Sequence, residues 1–164
     1  MLLACSMRIK LPYGRQGLAV ELPDDAVVLA PRHVPGLADE LGAIRHALRN
    51  PIGSLPLRSL VKSGQRVVVV HTDITRATPN RRLLPVLLEE LAAAGVPHHQ
   101  ITLLNGLGTH RPQTDAELRE MLGDDVVSNY RCIQHNAFDD AGLVTLGATR
   151  AGHPLRINRP YMEA

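Results

Sequence analysis

Residues 66–70, Arg-Val-Val-Val-Val, form an unbroken β-branched run bounded by Ser63-Gly64. A strand with one wet face alternates apolar and polar residues; a continuous run suits a strand covered on both faces, as at the centre of a parallel sheet. The segments C-terminal to it agree with that placement. Leu83, Leu84, Leu87, Leu88 and Leu91 mark one face of a helix that Gly95-Val96-Pro97 ends, and Ile101-Thr102-Leu103-Leu104 is a second core strand. Thr114-Asp115-Ala116-Glu117 has the capping-box pattern and predicts a helix through Leu122, after which Arg131–Gln134 reads as a third strand. Strand, helix, strand, helix, strand implies right-handed crossovers. The fold class expected is α/β: a mostly parallel, Rossmann-like sheet with flanking helices.

Upstream, residues 7–12 alternate, Tyr13-Gly14-Arg15-Gln16-Gly17 is a turn signal, and Leu18–Leu22 returns, predicting an N-terminal β-hairpin. Val27-Val28-Leu29 reads as a further short strand before Pro31. Leu37, Leu41, Ile44 and Leu48 predict a helix between Gly36 and Arg49; Asn50–Ser54 stops it, and Leu57–Val61 reads as a short second helix. Val144–Gly147 and Leu155–Ile157 predict a late hairpin. The expected organisation is a single domain over residues 7–164 with residues 1–6 as an extra N-terminal stretch, and no polar tail comes after Arg159.

Composition narrows the function classes. Aromatics make up 2% of 164 residues, with no Trp, so the core must rest on aliphatic side chains and no base-stacking platform is available. The net charge of +2 is scattered, and the local cluster Arg76/Arg81/Arg82 is too narrow to track a phosphate backbone. Nucleic acid is therefore not an expected partner. Cys5 and Cys132 form no CxxC pair, which fits a reducing cytoplasm. No apolar run is long enough for a membrane helix. Met1–Ser6 lacks the basic and long apolar segments of a secretory signal.

Ligands of open parallel sheets bind at the carboxyl ends of the strands. Two loops fall there. In His71-Thr72-Asp73-Ile74-Thr75-Arg76, a hydroxyl, a forked cation and the N–H groups of a helix start together suit a phosphate or carboxylate. Asp73 is suited to a ribose hydroxyl or to orienting a histidine; equally, Asp73 and Thr75 are ordinary helix caps and Arg76 a solvated side chain. In Gly106-Leu107-Gly108-Thr109-His110-Arg111-Pro112 the glycines admit a ligand to the backbone, and His110 can exchange a proton near neutral pH, or simply bond to backbone. There is no P-loop, no complete dinucleotide fingerprint and no Gly-x-Ser-x-Gly elbow. His33, His46 and the pair His98-His99 read as surface; His135 ends a strand and can face the site, and His71 adjoins the first loop.

Four stretches in order carry a resemblance: Leu11-Pro12-Tyr13, Asn50-Pro51-Ile52-Gly53-Ser54, Asp73-x-Thr75-Arg76-x-x-Pro79, and Gly108-x-His110-Arg111-Pro112. Together they resemble the N-terminal part of the nickel-pincer lactate racemase family, over nearly the whole chain. The resemblance implies a 2-hydroxyacid racemase or epimerase in which a histidine takes the hydroxyl proton while hydride passes reversibly to a nickel-containing pyridinium mononucleotide. On the matching positions His110 is one of two acid/base histidines and Arg76 steadies an anion, making these two the catalytic pair. Thr72, Asp73, Thr75, Arg76 and Gly108 are the implied cofactor-facing residues.

Family members are considerably longer. The second acid/base histidine, the cofactor-bearing lysine and the nickel-binding histidine fall beyond the point matching Ala164. The expectation is therefore the front part of a two-domain enzyme, inactive by itself, holding no metal and no tightly bound cofactor, with the C-terminal part and a small 2-hydroxy acid as its partners. The alternative is a non-catalytic α/β module that binds a phosphorylated nucleotide or small acid.

Overall fold

The computed structural model describes residues 6–164. Of the six residues read as an N-terminal extra, Met1–Cys5 lie outside this range, while Ser6 opens the first strand. The chain packs as two compact units, one ending at Gly36 and the other spanning Leu37–Ala164.

The first unit is the expected hairpin. Strand β1 (Ser6–Leu11) pairs antiparallel with β2 (Leu18–Pro23), with Arg8 opposite Glu21. Val27–Leu29 is not a strand: Val27 and Leu29 lie open to solvent and the segment pairs with no strand among the described residues. Local β-propensity there has no neighbouring edge to satisfy its backbone.

In the second unit, helix α1 (Glu40–Arg49) begins later than its leucine spacing suggests, because the Asp39 side chain accepts the Gly42 N–H at 2.8 Å and caps it. Helix α2 (Leu57–Leu60) comes after the Asn50–Ser54 break. Strands β3 (Val67–His71), β4 (Ile101–Asn105) and β5 (Arg131–Gln134) form a parallel sheet in the order β3-β4-β5. Helix α3 (Asn80–Ala93) links the first pair; α4 (Asp115–Leu122) and α5 (Asp124–Asn129) link the second. The expected capping box at Thr114 and Glu117 is present.

Among the described residues the valine run is an edge strand, not the central one. Val70 is 52% exposed, whereas β4 is buried along almost its whole length. Strand order decides this, and order is set by the direction of the crossovers rather than by the composition of any one strand. The core is aliphatic, as expected: Leu84, Leu88 and Leu91 of α3 pack with Ile101 and Leu103 of β4 and with Leu118, Leu122 and Val126. Strands β6 (Leu143–Ala148) and β7 (Pro154–Asn158) make the late hairpin, and a short α6 (Arg159–Met162) closes the chain. Helices α5 and α6 have too few apolar repeats to show in the sequence.

Candidate functional site

All three parallel strands end in a polar residue. His71, Asn105 and Gln134 stand in register at the carboxyl edge of the sheet, the first two buried. Two loops leave this edge, and each is shaped by its own local chemistry.

After β3 the chain makes a turn in which the Arg76 N–H donates to the Asp73 carbonyl. The Asp73 side chain nucleates it: Oδ1 accepts the Thr75 N–H at 3.0 Å and the Thr75 hydroxyl at 2.6 Å. Asp73 and Thr75 therefore do not cap α3, which starts only at Asn80 and has no side-chain cap. The Asn80 amide instead reaches back to the Thr72 carbonyl at 3.4 Å.

After β4 the Gly106 N–H donates to the His71 carbonyl at 2.9 Å, so the chain passes close over β3; an added Cβ at Gly106 would lie 3.4 Å from that carbonyl. The His110 N–H then closes a turn onto the Leu107 carbonyl at 3.1 Å. Gly108 sits second in this turn at φ +59, the position where a type II′ turn needs a positive φ. Arg111 next to His110 is not free for a ligand, since its guanidinium grips Glu117 of α4 at 2.7 and 2.9 Å.

The two loops meet through Asp73 and His110. Oδ2 of Asp73 is hydrogen-bonded to Nδ1 of His110. An ionised carboxylate only accepts, so Nδ1 carries a proton, and in the neutral form of the ring Nε2 is the basic nitrogen. Asp73 is 4% exposed, while the His110 side chain is 47% exposed. The Thr75 hydroxyl, then His110, pulls the Asp73 carboxyl down to about 2 from its ordinary 3.8. A buried anion is thus paired with an imidazole that faces solvent.

These residues line a pocket of about 290 Å³ with Thr72, Arg76, Gly106, Leu107, Gly108 and Thr109. Of the residues singled out in the sequence, Thr72, Asp73, Arg76, Gly108 and His110 come together here, and Thr75 stands behind Asp73. The Arg76 side chain makes no hydrogen bond or ion pair among the described residues. The Thr72 hydroxyl is buried without a partner, and the space where a side chain on Gly108 would stand is open. His71 donates from Nδ1 to the Thr72 carbonyl, and burial pushes its imidazole below the ordinary value.

Three further histidines are engaged elsewhere: His135 with Asn158 of β7 at 3.3 Å, His46 with Asn50, and His98 against the Tyr130 ring. Among the described residues no group of three or more His, Cys, Asp or Glu could hold a metal ion, and no helix is long and apolar enough to cross a membrane. A hollow of about 340 Å³ around Arg66, Thr102 and Arg131 opens elsewhere; its lining includes His99 and Glu163, and Glu163 pairs with Arg159 rather than with the imidazole. Sequence reasoning passed over Asn105, Gln113 and Gln134, which tie the second loop to the sheet. For Asn105 and Gln134 the one signal was a polar residue ending a core strand; Gln113 had none.

Known proteins with similar sequence and structure agree with one another. The chain is 31% identical over 160 residues to a lactate racemase of Thermoanaerobacterium thermosaccharolyticum, covering 95% of this chain and 37% of that protein. It is 30% identical to the lactate racemase of Lactiplantibacillus plantarum, with 95% and 38% covered. The solved lactate racemase apoprotein of T. thermosaccharolyticum superposes with a TM-score of 0.74 at 29% identity, over 96% of this chain and 37% of that one. A Thermotoga maritima protein at 23% identity shares the fold, with a TM-score of 0.60 over 77% of this chain and 32% of its own. The chain thus spans well under half the length of these relatives. The lactate racemase N-terminal domain profile matches residues 13–164, and the chain belongs to that family.

Proposed function

We propose that this chain is the N-terminal, acid/base-bearing part of a 2-hydroxyacid racemase. The observation that carries the reading is the buried Asp73 paired with half-exposed His110, beside a guanidinium with no partner among the described residues, at the strands' carboxyl ends. With Nδ1–H held by Asp73, His110 presents Nε2 to the pocket. A neutral imidazole so oriented takes a proton from a substrate hydroxyl and returns it, and the adjacent carboxylate stabilises the imidazolium between the two events. Arg76 holds an anion, either the carboxylate of the 2-hydroxy acid or the phosphate of a nucleotide.

The family's nickel-containing pyridinium mononucleotide supplies a hydride acceptor when bound. The pocket fits a phosphorylated group in part. Arg76, the Thr72 hydroxyl and the open face of Gly108 are available to it. Asp73 and Thr75 are engaged with each other and with His110, so they act by positioning rather than by contact.

Racemisation needs proton handling on both faces of a planar 2-keto acid. Among the described residues His110 is the one imidazole lining this pocket. The chain by itself is accordingly inactive, and its activity requires the remainder of the length its relatives have. Two measurements test this. Nicotinate mononucleotide should raise the melting temperature of the chain, and Arg76→Ala should abolish the rise; no rise with this nucleotide, with phosphate or with lactate overturns the anion site. Chiral chromatography after incubating L-lactate with the chain should detect no D-lactate, and its appearance overturns the division of labour.

A further inference from the structure

The loop bearing His110 is tied down at a point that the Asp73 pairing does not account for. Gln134, at the end of β5, accepts the Gln113 N–H on Oε1 at 2.7 Å and donates from Nε2 to the Gln113 carbonyl at 2.9 Å. A single side-chain amide thus grips both polar groups of one backbone residue, as a neighbouring strand would. The Gln113 side chain is buried and accepts from the Asn105 amide. Asn105 is the residue from which the loop departs, and it stands opposite Gln134 in the sheet. The loop therefore leaves β4 at Asn105 and is returned to β4 and β5 at Gln113. His110 lies between these two anchors.

Within that span Gly108 takes a positive φ, and the hydrogen bonds from His110 itself are the turn onto Leu107 and the pairing with Asp73. Hydrogen bonds weaken steeply with misalignment, so Nδ1 meets Oδ2 only if the loop's return point is fixed. The Arg111–Glu117 pair also holds the loop, but Arg111 is 67% exposed, and exposed pairs hold weakly. The grip of Gln134 is partly buried and two-pronged.

We infer that Gln134 is a positioning residue for the acid/base histidine: by clamping Gln113 it sets the reach of the loop and presents His110 to Asp73. The inference rests on the Asp73–His110 reading given under the proposed function. A merely structural role, satisfying a buried backbone, would leave the state of the imidazole unchanged.

The test reads the His110 tautomer in the 164-residue chain by long-range ¹H–¹⁵N spectra, at an alkaline pH at which the same spectra show the ring to be neutral. The wild-type ring should be in the Nδ1–H form. Asp73→Asn should release it, and Gln134→Met, apolar and of similar length, should shift the ring measurably toward the Nε2–H form. Gln134→Glu keeps the acceptor but not the donor and should fall between. The signals of His46 and His98 should not move. A wild-type ring in the Nε2–H form overturns the underlying pair as well as this inference. A ring released by Asp73→Asn but unmoved by Gln134→Met overturns the inference alone. If Gln134→Met does not fold, the same spectra of Gln134→Glu decide: a shift of the His110 ring toward the Nε2–H form supports the clamp, and a ring unchanged from wild type overturns it.

Discussion

Glu90 and Asp73 are both buried carboxylates held below the ordinary range, and they differ in what holds them. Glu90, at the inner face of α3, receives Arg49 of α1 at 2.8 and 3.0 Å and Arg58 of α2, whose Nη2 donates at 3.0 Å. Arg58 and then Arg49 pull its carboxyl down. Both partners stay charged at every accessible pH, both oxygens are occupied, and the cluster pins two helices to a third. Asp73 satisfies one oxygen within its own turn and turns the other to an imidazole, a partner able to take up and release a proton. One carboxylate is a fastening. The other is a fixed charge aimed at a group that can change state. Burial and a lowered pKa therefore do not by themselves mark a functional acid; the nature of the partner does.

The largest expected effect separates the two by activity. In the complete, cofactor-loaded enzyme, His110→Ala should lower turnover by about 10²–10⁴-fold, the usual contribution of a positioned acid/base. Asp73→Asn should approach the same loss by releasing the wrong tautomer. Turnover within a factor of about three of wild type, small against that contribution, would place Asp73 in the same class as Glu90. Glu90→Ala should act in the opposite sense. It leaves two guanidinium groups without their anion and should cost about 3 kcal/mol of stability, read from urea unfolding, with the His110 spectrum unchanged. A loss under about 1 kcal/mol, the level of a surface pair, would remove the structural half of the comparison.

Much of the second unit was legible because its elements obey local rules. The leucines of α3, the capping box at Thr114 and the strand at Ile101–Leu104 each declare themselves within a few residues. Legibility failed where the answer depends on partners distant in sequence. The valines of β3 read as central because their composition is that of a doubly covered strand, yet β3 has one neighbour among the described residues. The site divides the same way. Asp73, Arg76, Gly108 and His110 sit in recognisable loops. Gln134 acts through Gln113, 21 residues away, and nothing in Arg-Cys-Ile-Gln says which backbone its amide will grip.

Acid extends the contrast to stability. Asp73 has a folded value of about 2 against an ordinary 3.8, so its contribution to stability is complete above about 3.8 and is lost as pH falls through about 2. Glu90 acts in the same direction, so the wild-type acid limb contains both. Burial lowers the folded value of His71, so protonation of its unfolded form begins to favour unfolding higher, as pH drops through the ordinary 6.5. Thermal unfolding measured against pH should therefore show two acid steps. Asp73→Asn should flatten part of the lower one and leave the upper untouched. A lower step unchanged in that variant would mean Asp73 is not depressed in the folded chain.

The smallest change probes how the first loop prepares its carboxylate. The Thr75 hydroxyl is the largest cause of the depressed Asp73 value, ahead of His110. Thr75→Val keeps the shape and the backbone bond at 3.0 Å but removes the hydroxyl bond at 2.6 Å. The Asp73 titration, read from the carboxyl ¹³C shift, should rise from about 2 toward 3.8 without reaching it, because the turn and His110 remain. The His110 ring should keep its Nδ1–H form. If instead the tautomer changes with Thr75→Val, the turn does more than depress the acid: it aims Oδ2. The two loops would then position each other, and the contrast with Glu90 would lie in that mutual dependence rather than in the partner alone.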